Sequence, residues 1–141
     1  MKPKILLRIA SILIFIHAVL HTIGFSGWKT DPARQAVIQA MTGQKLPFMG
    51  TSRSMGQYYD GFGYATTIAL LLIAVSLWII SGELGSKTLA KKMTLTLAVI
   101  LALWGGDEIV YFFPFAAGIS LLSGLCCFWA FFVFDKQQSL K

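Results

Sequence analysis

The chain has 141 residues, 56% of them hydrophobic and only 13% charged, with a mean hydropathy of +0.70. Soluble domains are roughly 45–50% apolar, so an ordinary water-soluble globule is excluded and one integral membrane domain over residues 1–141 is expected. The net charge of +6 would suit a polyanion, but the cations sit in polar segments flanking apolar runs, where they set topology and meet headgroups; nucleic acid is not an expected partner.

The first apolar run, about 5–25, matches the ~20 residues a helix needs to cross ~30 Å of hydrocarbon. It follows Met1-Lys2-Pro3-Lys4 as a secretory signal would. Its apolar stretch is longer than a signal core, however, and no small-x-small cleavage site follows Leu20, so a retained span is expected. His17 and His21 stand four residues apart, about one helical turn, and share a face. Ala10, Ile14, Ala18 and Gly24 lie near the same stripe. Small residues let helices approach closely in lipid, so the imidazoles should face protein rather than acyl chains.

Gly24 to Arg53 is the one long polar connection. Asp31-Pro32 joins an N-cap acid to a proline at the first helical position and predicts a short amphipathic helix over about 32–42, with Val37, Ile38 and Met41 on one side. Thr42-Gly43 ends it, and Lys45-Leu46-Pro47-Phe48-Met49-Gly50 reads as an extended return. The second span, about 57–80, opens on Tyr58-Tyr59-Asp60-Gly61-Phe62-Gly63-Tyr64, where Asp60, Tyr64 and Thr67 form a polar and small stripe. Ser81 to Ser86 is a tight turn.

The third span, about 93–113, begins after Lys87, Lys91 and Lys92 and carries Gly105-Gly106-Asp107-Glu108 near its end. Pro114 breaks the helix, and the fourth span covers about 115–134. So short a connection makes the last two spans antiparallel neighbours. Cys126 and Cys127 are adjacent, point about 100° apart in a helix and cannot readily bridge, so they read as packing residues. The expected fold is all-α: a four-helix transmembrane bundle with a short amphipathic helix in the first extramembrane loop.

Lys2, Lys4, Arg8, Lys87, Lys91, Lys92, Lys136 and Lys141 fall on one side, and Lys29, Arg34, Lys45 and Arg53 on the other, eight against four. Both termini are therefore expected in the cytoplasm. At 1.5 Å per residue, His21 lies roughly 6 Å inside the outer end of the first span and Glu108 roughly 7 Å inside that of the third. His17 lies one turn deeper, Asp60 near the rim, and Asp107 beside Glu108.

An isolated carboxylate in this layer costs at least ~2.5–3.5 kcal/mol. An imidazole neighbour relieves that cost, so a shared proton or an ion pair is expected, with His21 the direct partner of Glu108 and His17 facing a cavity.

Three functions suit such a layer. A small amphiphile such as a lipid, isoprenoid or quinone could bind among His17, His21, Tyr58, Tyr59, Asp60, Tyr64, Trp104, Asp107, Glu108 and Tyr111. In that case His17, His21, Asp107 and Glu108 are the candidates for acid/base chemistry. A zinc or iron site could use His17, His21 and Glu108, although position 18 is Ala and no zincin glutamate is present. Alternatively the polar layer is structural, an interhelical tie in a non-catalytic membrane partner protein. Ser26, Thr22 and Thr67 read as helix residues satisfying backbone groups, and no nucleophile or cofactor is indicated. Membrane lipids and a small amphiphile are the expected partners, and an oligomer is compatible with the pattern.

The basic start, the His21-Thr22-Ile23-Gly24 end of the first span, Trp28-Lys29, Pro47-Phe48-Met49-Gly50, Arg53-Ser54 and Tyr58-Tyr59-Asp60-Gly61-Phe62-Gly63 together resemble a family of small uncharacterised bacterial four-span membrane proteins. That resemblance implies the bacterial inner membrane. In architecture alone the layout is similar to four-span sterol isomerase and sigma-2-type proteins, in which acidic and His side chains line a membrane pocket.

Overall fold

A computed structural model describes residues 2–82 and 87–136. The chain forms four long helices, α1 (Pro3–Ser26), α3 (Met55–Gly82), α4 (Lys87–Tyr111) and α5 (Pro114–Lys136). Between the first two lie a short helix, α2 (Gln35–Gly43), and a hairpin of β1 (Lys45–Phe48) and β2 (Thr51–Ser54). Among the described residues four helical segments are long and apolar enough to cross a membrane, Pro3–Thr30, Met55–Gly82, Thr88–Tyr111 and Pro114–Phe134. Helices are the form in which an apolar segment satisfies its backbone inside lipid, and the chain is a multi-pass membrane protein.

One boundary differs from the expected one. The α4 helix includes the basic turn at Lys87, because Lys, Leu and Ala are all competent helix formers and hydropathy marks the membrane-crossing part rather than the helix. The break expected at Pro114 is present, with α4 ending at Tyr111, and Pro114 itself is the first residue of α5, since the first helical position has no intrahelical use for an N–H. Most of the turn expected over Ser81 to Ser86 lies outside the described residues.

The chain divides into two compact units, one of Met1–His17 with Leu70–Lys141 and the other of Ala18–Ala69. The first is a four-helix bundle. Leu7, Ile14, Leu70, Leu77 and Leu101 are fully buried in it. Ser11 ties α1 to α3 by donating its hydroxyl proton to the Ala74 carbonyl at 2.7 Å. Helices α4 and α5 approach closely at Gly105, where a Cβ would stand 2.7 Å from Leu121 Cγ and 3.3 Å from the Leu121 backbone nitrogen.

The second unit holds the end of α1, the whole connection and the start of α3. Asp31 caps the expected helix start, its Oδ1 accepting from the Ala33 N–H at 2.9 Å, and a 3-10 turn over Pro32–Arg34 leads into α2. Ile38 and Met41 turn inward onto Phe25 and Trp28, whereas Val37 stays outside. The extended return is one arm of an antiparallel hairpin with Lys45 opposite Ser54 and Phe48 opposite Thr51. Its two-residue turn, Met49 at φ 47° and Gly50 at φ 79°, has the left-handed pair that matches strand twist. A reciprocal capping box then starts α3: the Gln57 N–H donates to Ser54 Oγ at 3.2 Å, and the Ser54 N–H donates to Gln57 Oε1 at 3.0 Å.

Candidate functional site

Most of the expected site residues fall into two polar groups, one in each unit. In the bundle, α1 presents His17, α4 presents Trp104 and Glu108 one turn apart, and α5 presents Ser120. His17 Nε2 lies 3.2 Å from Glu108 Oε1, and His17 Nδ1 lies 3.2 Å from Ser120 Oγ. The Trp104 indole N–H donates to the same carboxylate oxygen at 3.0 Å. A carboxylate only accepts, so Nε2 carries a proton; in the neutral ring Nδ1 then accepts from the Ser120 hydroxyl. Three helices are thereby joined by one imidazole.

His17 and Glu108 are each 5% exposed and Ser120 is 0% exposed. The second carboxylate oxygen, Oε2, is buried and has no hydrogen-bond partner among the described residues. Serine, imidazole and carboxylate in series are the wiring of a nucleophilic relay. Ser120 is enclosed, so its oxygen is not open to the surface, and the hydrogen bonds join three helices.

His17, not His21, is therefore the partner of Glu108, a correction to the expected pairing. Sequence depth places a residue along its helix but not around a neighbouring one, and the turn bearing His17 faces α4 and α5. Asp107 and Tyr111, expected in the same layer, are exposed on α4. Asp107 is turned about 100° around the helix from Glu108, whereas Tyr111, only about 60° away, is the last residue of α4.

In the second unit, His21 Nε2 donates to the Gly63 carbonyl at 3.2 Å. Its ring stacks parallel to Phe25 at a centroid distance of 5.9 Å. The same carbonyl accepts from the Thr67 hydroxyl at 3.2 Å, and Thr22 and Thr67 hydroxyls meet at 3.1 Å. Gly63 is required by close approach, since a Cβ there would stand 2.1 Å from Phe25 Cε2. Tyr59 packs edge-on against Trp28 at 4.8 Å and tilted against Phe25 at 5.7 Å. Tyr64 meets Phe25 edge-on at 5.3 Å.

Asp60 is held on both oxygens. Trp28 Nε1 donates to Oδ1 at 3.0 Å, and the Lys29 ammonium donates to Oδ2. Lys29 also stands 5.5 Å above the Trp28 ring. Beside this triad the first three turns of α3, with Arg53 from β2, shape a groove of ≈ 710 Å³ lined by Arg53, Gln57, Tyr58, Asp60, Phe62 and Tyr64. Its lining combines the polar side chains of Arg53, Gln57 and Asp60 with the exposed rings of Phe62 and Tyr64.

Arg53, Gln57 and Phe62 were not among the expected site residues. The signal for them was the Ser54-Met55-Gly56-Gln57 box, which fixes the helix start and so sets Arg53 immediately before the turn carrying Gln57.

Comparison with family models, curated proteins and solved structures returned no match. Function is thus read from the chemistry of these two groups. Among the described residues no three His, Cys, Asp or Glu side chains gather as a metal's ligand set. Both nitrogens of His17 are engaged by Ser120 and Glu108.

Proposed function

We propose that this is a bacterial inner-membrane protein, with both termini in the cytoplasm, that binds a small amphipathic ligand of the lipid, isoprenoid or quinone class. The orientation is supported by the eight-to-four distribution of Lys and Arg. The observation that carries the ligand reading is the ≈ 710 Å³ groove at the head of α3. A concave site with a few convergent polar groups beside aromatic walls suits an amphiphile better than a fully polar metabolite. Arg53, Gln57, Tyr58 and the anchored carboxylate of Asp60 would orient a headgroup, while Phe62 and Tyr64 would receive its apolar part. Catalysis is not part of this reading.

The test is native mass spectrometry of gently extracted protein. Wild type should carry a stoichiometric small-molecule adduct. Ala65→Trp, which fills the groove from an exposed position on α3, should remove the adduct and leave the helical circular dichroism unchanged. A bare wild-type protein, or an adduct indifferent to Ala65→Trp, would overturn the reading.

A second reading applies to the bundle, where the enclosed His17, Glu108 and Ser120 favour a structural role. Interhelical hydrogen bonds in lipid contribute about 0.6 kcal/mol on average, and a shared imidazole fixes the register of α1, α4 and α5 together.

A further inference from the structure

On the surface of the first unit, between α1 and α3, runs an apolar furrow of ≈ 270 Å³ lined by Ser11, Ile12, Phe15, Ala74, Val75 and Trp78. The proton of its one hydroxyl is engaged, since Ser11 donates to the Ala74 carbonyl at 2.7 Å. Its walls are apolar, and Ile12, Phe15 and Val75 are each about half exposed. On helices that cross a membrane, such a furrow opens onto acyl chains.

One end of the furrow is charged. The guanidinium of Arg8 lies 4.8 Å from the ring centroid of Trp78, a cation–π contact that holds a long side chain in place. Among the described residues, the two helices that form the furrow place no acid at this end: α1 contains no Asp or Glu, and α3 contains none after Asp60. Among the described residues Arg8 makes no salt bridge. A planar guanidinium with its face on an indole still presents its N–H edge, and that edge matches two phosphate oxygens at once.

We propose that the furrow is a binding site for one anionic phospholipid, its phosphate on Arg8 and one acyl chain between Ile12, Phe15 and Val75. The net negative headgroup follows from a cation that forms no salt bridge among the described residues, because a zwitterionic lipid brings its own positive charge to the same place. The site is independent of the groove at the head of α3, with which it shares no residue.

The experiment uses the full chain reconstituted in vesicles of equal phosphatidylglycerol and phosphatidylcholine, released into the gas phase for native mass spectrometry. Wild type should retain one phosphatidylglycerol in preference to phosphatidylcholine by about 5-fold, the discrimination that a single cation near the surface supplies. Arg8→Gln should abolish the preference, Arg8→Lys should keep part of it, and Val75→Trp should lower retention of both lipids by filling the exposed wall. Equal retention of the two lipids by wild type, an unchanged preference in Arg8→Gln, or full retention in Val75→Trp would each overturn the proposal.

Discussion

Glu108 makes the largest demand on its surroundings of any residue in the bundle. One carboxylate oxygen accepts from both His17 and Trp104, and the other is buried without a hydrogen-bond partner among the described residues. Removing the group altogether would strand two donors, the His17 Nε2–H and the Trp104 Nε1–H, in an apolar interior. Each stranded donor costs about 1–3 kcal/mol. Glu108→Ala should therefore destabilise the protein by several-fold more than Glu108→Gln, whose amide oxygen can still accept both bonds and whose shape is the same. Denaturant-detergent titration of the two variants in micelles measures this difference. If Ala and Gln unfold at the same midpoint, the carboxylate is not acting as a tie. Sequence alone made the presence of this pair legible, because ionisable groups at membrane depth must find each other. It did not reveal which imidazole answers Glu108, since His17 and His21 differ by one turn on a single face and only the packing of α4 and α5 separates them.

Among the elements, the four apolar helices were readable because length and hydropathy are local properties, and Asp31-Pro32 announced the start of the short helix by its own chemistry. The hairpin was not readable as a pair. Its turn is Met49-Gly50 rather than Asn-Gly or Asp-Gly, and a methionine at φ 47° is disfavoured locally and accepted only because the strands close around it. The α4–α5 contact belongs to the same class of non-local facts. Gly105 reads in sequence as a weak point in a helix, yet in the bundle it is the place where Leu121 enters. A methyl at this position meets a branched carbon at 2.7 Å and backbone at 3.3 Å, neither of which can swing aside as the tip of a long side chain could. Gly105→Ala should thus be destabilising by about 1–3 kcal/mol through overpacking, despite the better helix propensity of alanine. Gly106→Ala is the control, with nothing within 4 Å of its would-be Cβ; it should be neutral or stabilising by up to about 1 kcal/mol. Thermal unfolding of the two variants in the same detergent separates packing from propensity, and equal effects would place the cause in the backbone rather than in the contact.

At the scale of the whole molecule, the distribution of charge decides how four apolar helices thread the membrane. An even number of spans puts both ends of the chain on one side, and the loop holding α2 and the hairpin on the other. Lys and Arg resist translocation, so the proposed orientation keeps the side with eight of them in the cytoplasm and exports the loop with four. Accessibility of single cysteines tests this in intact cells, after replacing Cys126 and Cys127 by alanine in α5. Gln44, exposed at the end of α2, and Lys2, exposed before α1, are suitable reporters because neither side chain is buried. Gln44→Cys should react with a membrane-impermeant maleimide from outside, and Lys2→Cys only once the membrane is opened. The reverse pattern would invert the molecule and carry the groove at the head of α3 to the cytoplasmic face, where its amphiphile would have to come from the inner leaflet. The expected pattern faces that groove outward, so the proposed ligand would be drawn from the outer leaflet, and an impermeant competitor added to whole cells should then reach the site.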